Sequence, residues 1–349
     1  MAPIVNASGL YPVLTAHRES EKRGIRSAQP LAGPADWSRD WKNRDREKRL
    51  LTATHSGTIT VKDFSIQAPP GRQQPDTITT LGGSLIQIGP LNDRVYLMKL
   101  DTRDLPGVVD ELQGLARSRG LTKICAKVPI QAGSHFLSRG FVLEARVPDL
   151  FWGREDGLFL ARFLEEWRSR PDRSAWRPTS RHNETSGPAD VASRSSNAPV
   201  IKMGLDRVQA MAEIFKNTFS AYPFPVDDPV YLTESLRANV SFFGVEIQGG
   251  IAALASSEMS WEAGHVEMTD FITLPAYRGQ GLATALLRAM EQDMRGVGFR
   301  TAFSIARAGS AGMNATFARQ GYAHTGRLTR NTCFNGFLED MNVWAKRLG

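Results

Sequence analysis

The sequence predicts an α/β (α+β) protein made of two folded blocks, and three observations carry that prediction. Stretches with apolar residues every third or fourth position take turns with stretches of two-residue alternation, so helices and strands alternate along the chain. A segment rich in Pro, Ser and Arg, RSRPDRSAWRPTSRHNETSGPADVASRSSNAPV, interrupts that alternation at 168–200 and follows neither period. A glycine pair stands directly ahead of a strong amphipathic run in YRGQGLATALLRAMEQ.

Bulk properties narrow the classes. The chain has 349 residues, 41% hydrophobic and 23% charged, enough for two cores. No apolar run is long enough to span a bilayer, so no membrane partner is expected. The first thirty residues show no charged start followed by an apolar block, so no secretory signal is read there. Cys125 and Cys333 lie far apart, and neither a CxxC nor an HExxH spacing occurs. Neither a disulfide framework nor a metal site is expected, and a reducing cytoplasm is the expected compartment. The net charge of +7 arises wholly from residues 1–50, which contribute +4, and 168–200, which contribute +3. A nucleic-acid surface would carry its basic patch on folded elements, so no nucleic-acid partner is expected. Oligomeric state is not legible.

The elements follow in order. Residues 1–55 mix charges with Pro, Gly and Ser and are expected to be a mobile basic tail, with at most a short helix at 37–51. Residues 56–167 form the first α/β block, 168–200 a linker and 201–349 the second block. In the second block Asp206 is read as the N-cap of a helix through Phe219, with Val208, Met211, Ala212 and Phe215 on its apolar side. YPFPVDDP is loop, and a shorter helix runs to about Ala238. SFFGVEI and GIAALASSEM read as paired strands turning at Gln248-Gly249-Gly250. HVEMTDFITLP is a strand stopped by Pro275. It leads into a helix with Leu282, Leu286, Met290 and Met294 toward a core. FRTAFSIA is a strand, GMNATFARQG a helix closing on Gly321, and FLEDMNVWAKRL the final strand, with Phe337 and Trp344 expected in the core. Cys125 and Cys333 read as small buried residues, and His265 as exposed.

The first block echoes the second. Each has a helix leading to a Gly, a strand, a short helix ending in Phe-x-x-x-Gly-aromatic, and another strand, so that Phe136 aligns with Phe317 and Gly140 with Gly321. YLMKLDTRDLP in the first block carries no glycine pair, so a degenerate, non-catalytic half-repeat is expected there.

A helix starting at Gly281 leaves its first N–H groups unpaired at the positive end of the helix dipole. Glycines allow close approach of a ligand to that backbone, and Arg278 adds charge, so a phosphate-bearing ligand is expected. A P-loop is excluded because no Lys follows Gly281. A dinucleotide fingerprint fits poorly, because Thr284 takes the third small position and FRTAFSIA ends without an acid.

Arg-x-x-Gly-x-Ala at Arg278, Gly281 and Ala283, after a strand ending in Pro, resembles the acetyl-CoA pyrophosphate loop of the GCN5-related N-acetyltransferases. That resemblance spans about 203–349 and includes the Gly321-Tyr322 corner. KICAKVP, YPFPVDDP, VEMTDFITLPAYRGQGLA, SIARAGSAGMNATFARQGY and EDMNVWAKRL look like strings of the β-lysine N-acetyltransferases, over both blocks. The resemblance implies acetyl-CoA as co-substrate and direct amine attack on its thioester. The terminal amine of β-lysine would become acetylated, giving the compatible solute Nε-acetyl-β-lysine. It implies cofactor contacts from Ile272, Thr273, Leu274, Arg278, Gly279, Gln280, Gly281, Leu282 and Ala283, with Asn314 a further candidate. Another amine, a protein amine, or a non-catalytic acyl-CoA-binding module are the alternatives.

The chemistry asks for a base. An amine of pKa ~10.4 is neutral in about one molecule in 2,500 at pH 7, a cost of roughly 4–5 kcal/mol. Glu267, eleven residues ahead of Arg278, is the first candidate for removing that proton. Asp270 is the second, on the other face of a regular strand unless a bulge changes the parity. Phe317 stands where the family often has a tyrosine to protonate the departing thiolate. Asp227, Asp228 and Glu258 are candidate partners for the substrate's ammonium groups, and Arg307 for its carboxylate.

Overall fold

The clear alternation of HVEMTDFIT becomes strand β10 (His265–Thr273) in the computed structural model, which describes residues 76–171, 199–218, 224–334 and 336–349. The expected tail, residues 56–75 of the first block and linker residues 172–198 lie outside the described residues. The first half runs β1 (Thr77–Leu81), β2 (Ser84–Gly89), β3 (Arg94–Lys99), α1 (Gly107–Ser118), β4 (Lys123–Pro129), α2 (Gly133–Leu137), β5 (Val142–Phe151) and β6 (Glu155–Phe163). The second begins with β7 (Ile201–Met203), α3 (Val208–Thr218), α4 (Pro229–Ala238), β8 (Val240–Ile247) and β9 (Gly250–Ser260). After β10 come α5 (Leu282–Val297), β11 (Thr301–Arg307), α6 (Ala311–Arg319), β12 (Ala323–Phe334) and β13 (Phe337–Arg347).

These strands join in one sheet, in the order β1-β2-β3-β4-β6-β5-β12-β13-β11-β10-β9-β8-β7. The order repeats about its middle. In each half two parallel strands, β3 with β4 and β10 with β11, are joined by a crossover helix, as parallel pairing requires. A hairpin then follows, β5–β6 or β12–β13, whose second strand pairs with the second parallel strand. The echo between the blocks is therefore structural. The halves meet where Gly326 of β12 faces Ala145 of β5. A Cβ on Gly326 would fall 2.5 Å from the Ala145 Cα and against the Glu144 carbonyl, so only glycine lets the strands close here.

Each outer face carries its own helices. Leu282, Leu286, Leu287, Met290 and Met294 of α5 and Phe317 of α6 pack against Val266 and Met268 of β10. Val108, Val109 and Leu112 of α1 pack against Val95, Leu97 and Ile124 in the first half. The inner faces pack on each other: Tyr96, Cys125 and Phe159 of the first half join Phe303, Ile305, Met341 and Val343 of the second. The rings of Phe159 and Phe303 lie 6.0 Å apart across that contact. Polar side chains tie the same seam. Lys123 Nζ donates to Glu144 Oε2 at 2.9 Å and to the Thr329 carbonyl at 2.8 Å, and Arg94 Nη1 donates to the Asn331 carbonyl at 2.6 Å. Burying cations is tolerable because each finds acceptors.

Three local readings outside β10 differ from the structure. Asp206 lies inside a short 3-10 turn (Leu205–Arg207) that precedes α3, because Gly204 already opens the turn. Phe337 is 75% exposed, since it starts β13 at the tip of the β12–β13 hairpin, away from either core. Cys333 is only partly buried, whereas Cys125 and Trp344 are buried as expected.

Candidate active site

β10 and β11 run in register over three residue pairs, ending at Glu267 opposite Phe303. Beyond that point β10 stays with β9 to Thr273 while β11 stays with β13 to Arg307. The two parallel strands thus part into a wedge. Its apex is Glu267 and its mouth is the loop into α5. Edges that face the wedge are not paired in register with another strand, so their N–H and C=O groups can serve an extended ligand.

At the mouth, Gly279 has φ 78° and Gly281, the N-cap of α5, has φ 78° and ψ 8°. Both lie in the left-handed region that glycine enters without steric cost. A Cβ on Gly279 would meet nothing within 4 Å, so that side of the loop is open. Arg278 Nε donates to the Thr273 carbonyl at 3.2 Å, and Gln280 Nε2 to the Ala276 carbonyl at 3.4 Å, which ties the loop to the end of β10. Arg278, Gly279 and Gln280 are exposed, Gly281 and Ala283 half-buried, and Leu282 points into the core. The loop thus brings an exposed arginine, two left-handed glycines and the N-terminus of α5 together, the chemistry of an anion site.

At the apex, alternation puts His265 and Glu267 on the inner face and Val266 and Met268 on the α5 face. The register then shifts between Thr269 and Ile272, with Asp270 at φ 54°. The bulge returns Phe271 to the α5 face and turns Asp270 inward beside Glu267, the outcome a regular strand would have forbidden. Ser256 Oγ donates to Asp270 Oδ2 at 2.6 Å. Glu258 on β9 is the register partner of Glu267, so two acids face each other across the ladder in a fully dry setting. Like charges directly opposite destabilise a sheet, so the neutral form of one acid of the pair is favoured. Burial first, then the Asp270 and Glu267 carboxylates, hold Glu258 well above the ordinary carboxylate range.

His265, expected to be exposed, is buried between the rings of Phe151 and Phe303, with centroids 5.6 Å and 5.4 Å away. The cover comes from the first half, which no local reading of β10 reveals. Burial and the nearby Lys127 hold its imidazole well below the usual value, so it stays neutral.

Lys127 and Tyr96 of the first half lie close enough to feel the Glu267 charge, and sequence reasoning named neither. Lys127 Nζ sits over the Phe303 ring, 5.5 Å from its centroid. Burial lowers its pKa to about 8, although Glu267 and Glu258 oppose that shift. Tyr96 is held well above the usual phenol value by burial and by the Glu267 charge. The available signal was the pair of lysines at positions 123 and 127 on one face of the otherwise apolar KICAKVP.

The other candidates stand elsewhere. Asn314 is fully buried: its Nδ2 donates to the Arg307 and Ser310 carbonyls, both at 2.8 Å, and its Oδ1 accepts from Asn342 Nδ2 and Trp344 Nε1, both at 2.9 Å. Arg307 forks onto Glu339, with Nε 2.8 Å from Oε2 and Nη2 bonded to Oε1, and stacks over Phe334 at 4.3 Å. Asp228 caps α4 by accepting from Val230 N at 2.8 Å, and Asp227 is exposed beside it. Phe317 packs edge-on to Phe271 and against Tyr322, whose phenol is held well above its usual value by burial and Glu291. Among the described residues no helix is long and apolar enough to cross a membrane.

A splayed parallel pair, a bulged strand and a glycine-started helix thus meet at one wedge. The acetyltransferase (GNAT) family profile matches residues 208–322. The beta-lysine N(6)-acetyltransferase of Methanococcus maripaludis is 33% identical over 274 residues, spanning 78% of this chain and 98% of that protein. The chain therefore belongs to the acetyltransferase (GNAT) family. The N-acetyltransferase YodP of Bacillus subtilis is 37% identical over 158 residues, covering 44% of this chain and 58% of its own. The beta-lysine N(6)-acetyltransferase of Methanosarcina mazei is 39% identical over 139 residues, covering 40% and 51%.

Proposed function

We propose that the protein transfers an acetyl group from acetyl-CoA to the terminal amine of β-lysine, yielding Nε-acetyl-β-lysine. The observation that carries this reading is the convergence of Glu258, Glu267 and Asp270 at the apex of the β10–β11 wedge. Three acids in one dry recess suit an acceptor with two ammonium groups. The named function of the Methanococcus maripaludis relative, matched over nearly its whole length, supports the same acceptor.

The cradle at Arg278–Ala283 would hold the pyrophosphate, and Ile272–Leu274 at the wedge edge would line the pantetheine arm. Acetyl-CoA supplies an activated thioester. Glu267 takes the proton from the attacking ammonium, directly or through water, which offsets the roughly 4–5 kcal/mol needed to present a neutral amine at pH ~7. Backbone N–H groups near the bulge, from Phe271 to Thr273, would stabilise charge on the carbonyl oxygen, the Leu274 N–H being already donated to the Ala252 carbonyl. A thiol of pKa ~8.5 departs without a strong acid, consistent with Phe317 in place of a proton donor.

Free-thiol release from acetyl-CoA in the presence of β-lysine, α-lysine, a diamine or a lysine-containing peptide tests the reading. Fastest turnover with β-lysine is expected. Good turnover with another amine and none with β-lysine removes the substrate assignment. Cofactor binding with no thiol release from any amine would make the protein an acyl-CoA-binding module.

A further inference from the structure

We propose that the acceptor pocket is completed by the first half of the chain, and that Lys127 on β4 is the cation that receives the acceptor's carboxylate. This rests on the reading above, that the acceptor is a diamino acid. Inward-facing positions of β4 are Lys123, Cys125 and Lys127, and the two lysines have different fates. Lys123 is fully satisfied by Glu144 and the Thr329 carbonyl. Lys127 is 7% exposed and makes no hydrogen bond or ion pair among the described residues.

Its position is beside the chemistry. Lys127 lies over Phe303, the register neighbour of Glu267, and its charge is felt by both Glu267 and Glu258. Beside it on the same inner face, the Tyr96 hydroxyl is buried, without a hydrogen-bond partner, and borders a cavity shared with Cys125, Phe159, Leu328 and Asn331. From the first half come a buried Tyr96 hydroxyl without a hydrogen-bond partner and the buried Lys127 side chain, whose charge is felt at Glu267 and Glu258 of the other half. Burying an ammonium is costly, and an acceptor supplied by a ligand would offset that cost. A zwitterionic diamino acid supplies both signs: ammonium groups for the acids and a carboxylate for Lys127. Arg307, the other cation considered for that carboxylate, already forks onto Glu339.

The test crosses enzyme variants with acceptors. Wild type, Lys127→Met and Lys127→Arg are each assayed with β-lysine and with the diamine left when its carboxylate is removed, by steady-state kinetics and by calorimetric binding of the acceptor alone. Losing a charged hydrogen bond should raise KM and Kd for β-lysine roughly ten- to a hundredfold in Lys127→Met, and leave the diamine within about twofold. Lys127→Arg should keep most of the preference for β-lysine. Equal losses with both acceptors, or no loss with either, overturn the role of Lys127 while leaving the acetyltransferase reading intact. Wild type turning over neither acceptor overturns both.

Discussion

The two ends of α5 offer a controlled perturbation of the cofactor cradle. Gly281 at its N-cap has φ 78° and ψ 8°, and Gly298 at its C-cap has φ 101° and ψ 9°. Alanine in this left-handed region costs roughly 1–2 kcal/mol wherever it is placed. Gly281→Ala and Gly298→Ala should therefore lower the melting temperature alike, by about 2–4 °C. The cradle separates them. At Gly281 the strain is relieved by moving the N–H groups that would face the pyrophosphate, and losing one or two charge-assisted bonds weakens acetyl-CoA binding about ten- to a hundredfold. Gly298 lies a full helix away, with no atom within 4 Å of its added Cβ, and its variant should bind acetyl-CoA like wild type. Calorimetric titration with acetyl-CoA, beside thermal melts, reads both effects. Equal binding losses in the two variants, or none in Gly281→Ala, would refute the cradle.

Further outcomes follow from the packing. Burial holds the His265 imidazole well below its usual range, so on acidification the unfolded chain takes up a proton more readily than the native state. Stability from this residue is therefore lost as pH falls below about 6.5, and the drop in unfolding free energy between about pH 7.5 and 5.5 should be smaller in His265→Phe, read by urea titration. Gly326→Val should destabilise by about 3 kcal/mol or more, because its Cβ meets backbone of β5 rather than a movable side chain, and denaturant midpoints will show it. Asn314→Leu strands carbonyl, amide and indole partners in the core and should cost about 2–4 kcal/mol, with the acetyl-CoA Kd of the folded fraction unchanged by calorimetry.

Much of the second half was legible because its signals are local. Alternation in HVEMTDFIT, the stop at Pro275, the glycine pair and the spacing of Leu282, Leu286, Met290 and Met294 each act within one turn or one strand. The repeat was legible for the same reason, since each half rewrites the same short pattern. What lay hidden is long-range. A single register pair, Gly326 with Ala145, folds the first half over β10, and nothing near His265 or Glu267 announces that cover. Lys127 is set apart from other strand lysines only by its place over Phe303, a contact between the halves. The bulge that turns Asp270 inward depends on the β9 register, which one strand's sequence does not encode. Asn314 and Arg307 were attractive as ligand contacts because of their chemistry, while the partners that occupy the Asn314 Oδ1 and the Arg307 guanidinium lie 28 to 32 residues away.

The account turns on proton removal at the wedge apex. Its most direct test compares kcat/KM for β-lysine across pH in wild type and Glu267→Gln. If Glu267 is the base, the variant falls by about 10²–10⁴ near pH ~7, and the gap narrows toward pH ~10, where the free amine needs no help. Parallel profiles, or a variant as fast as wild type at neutral pH, would contradict it.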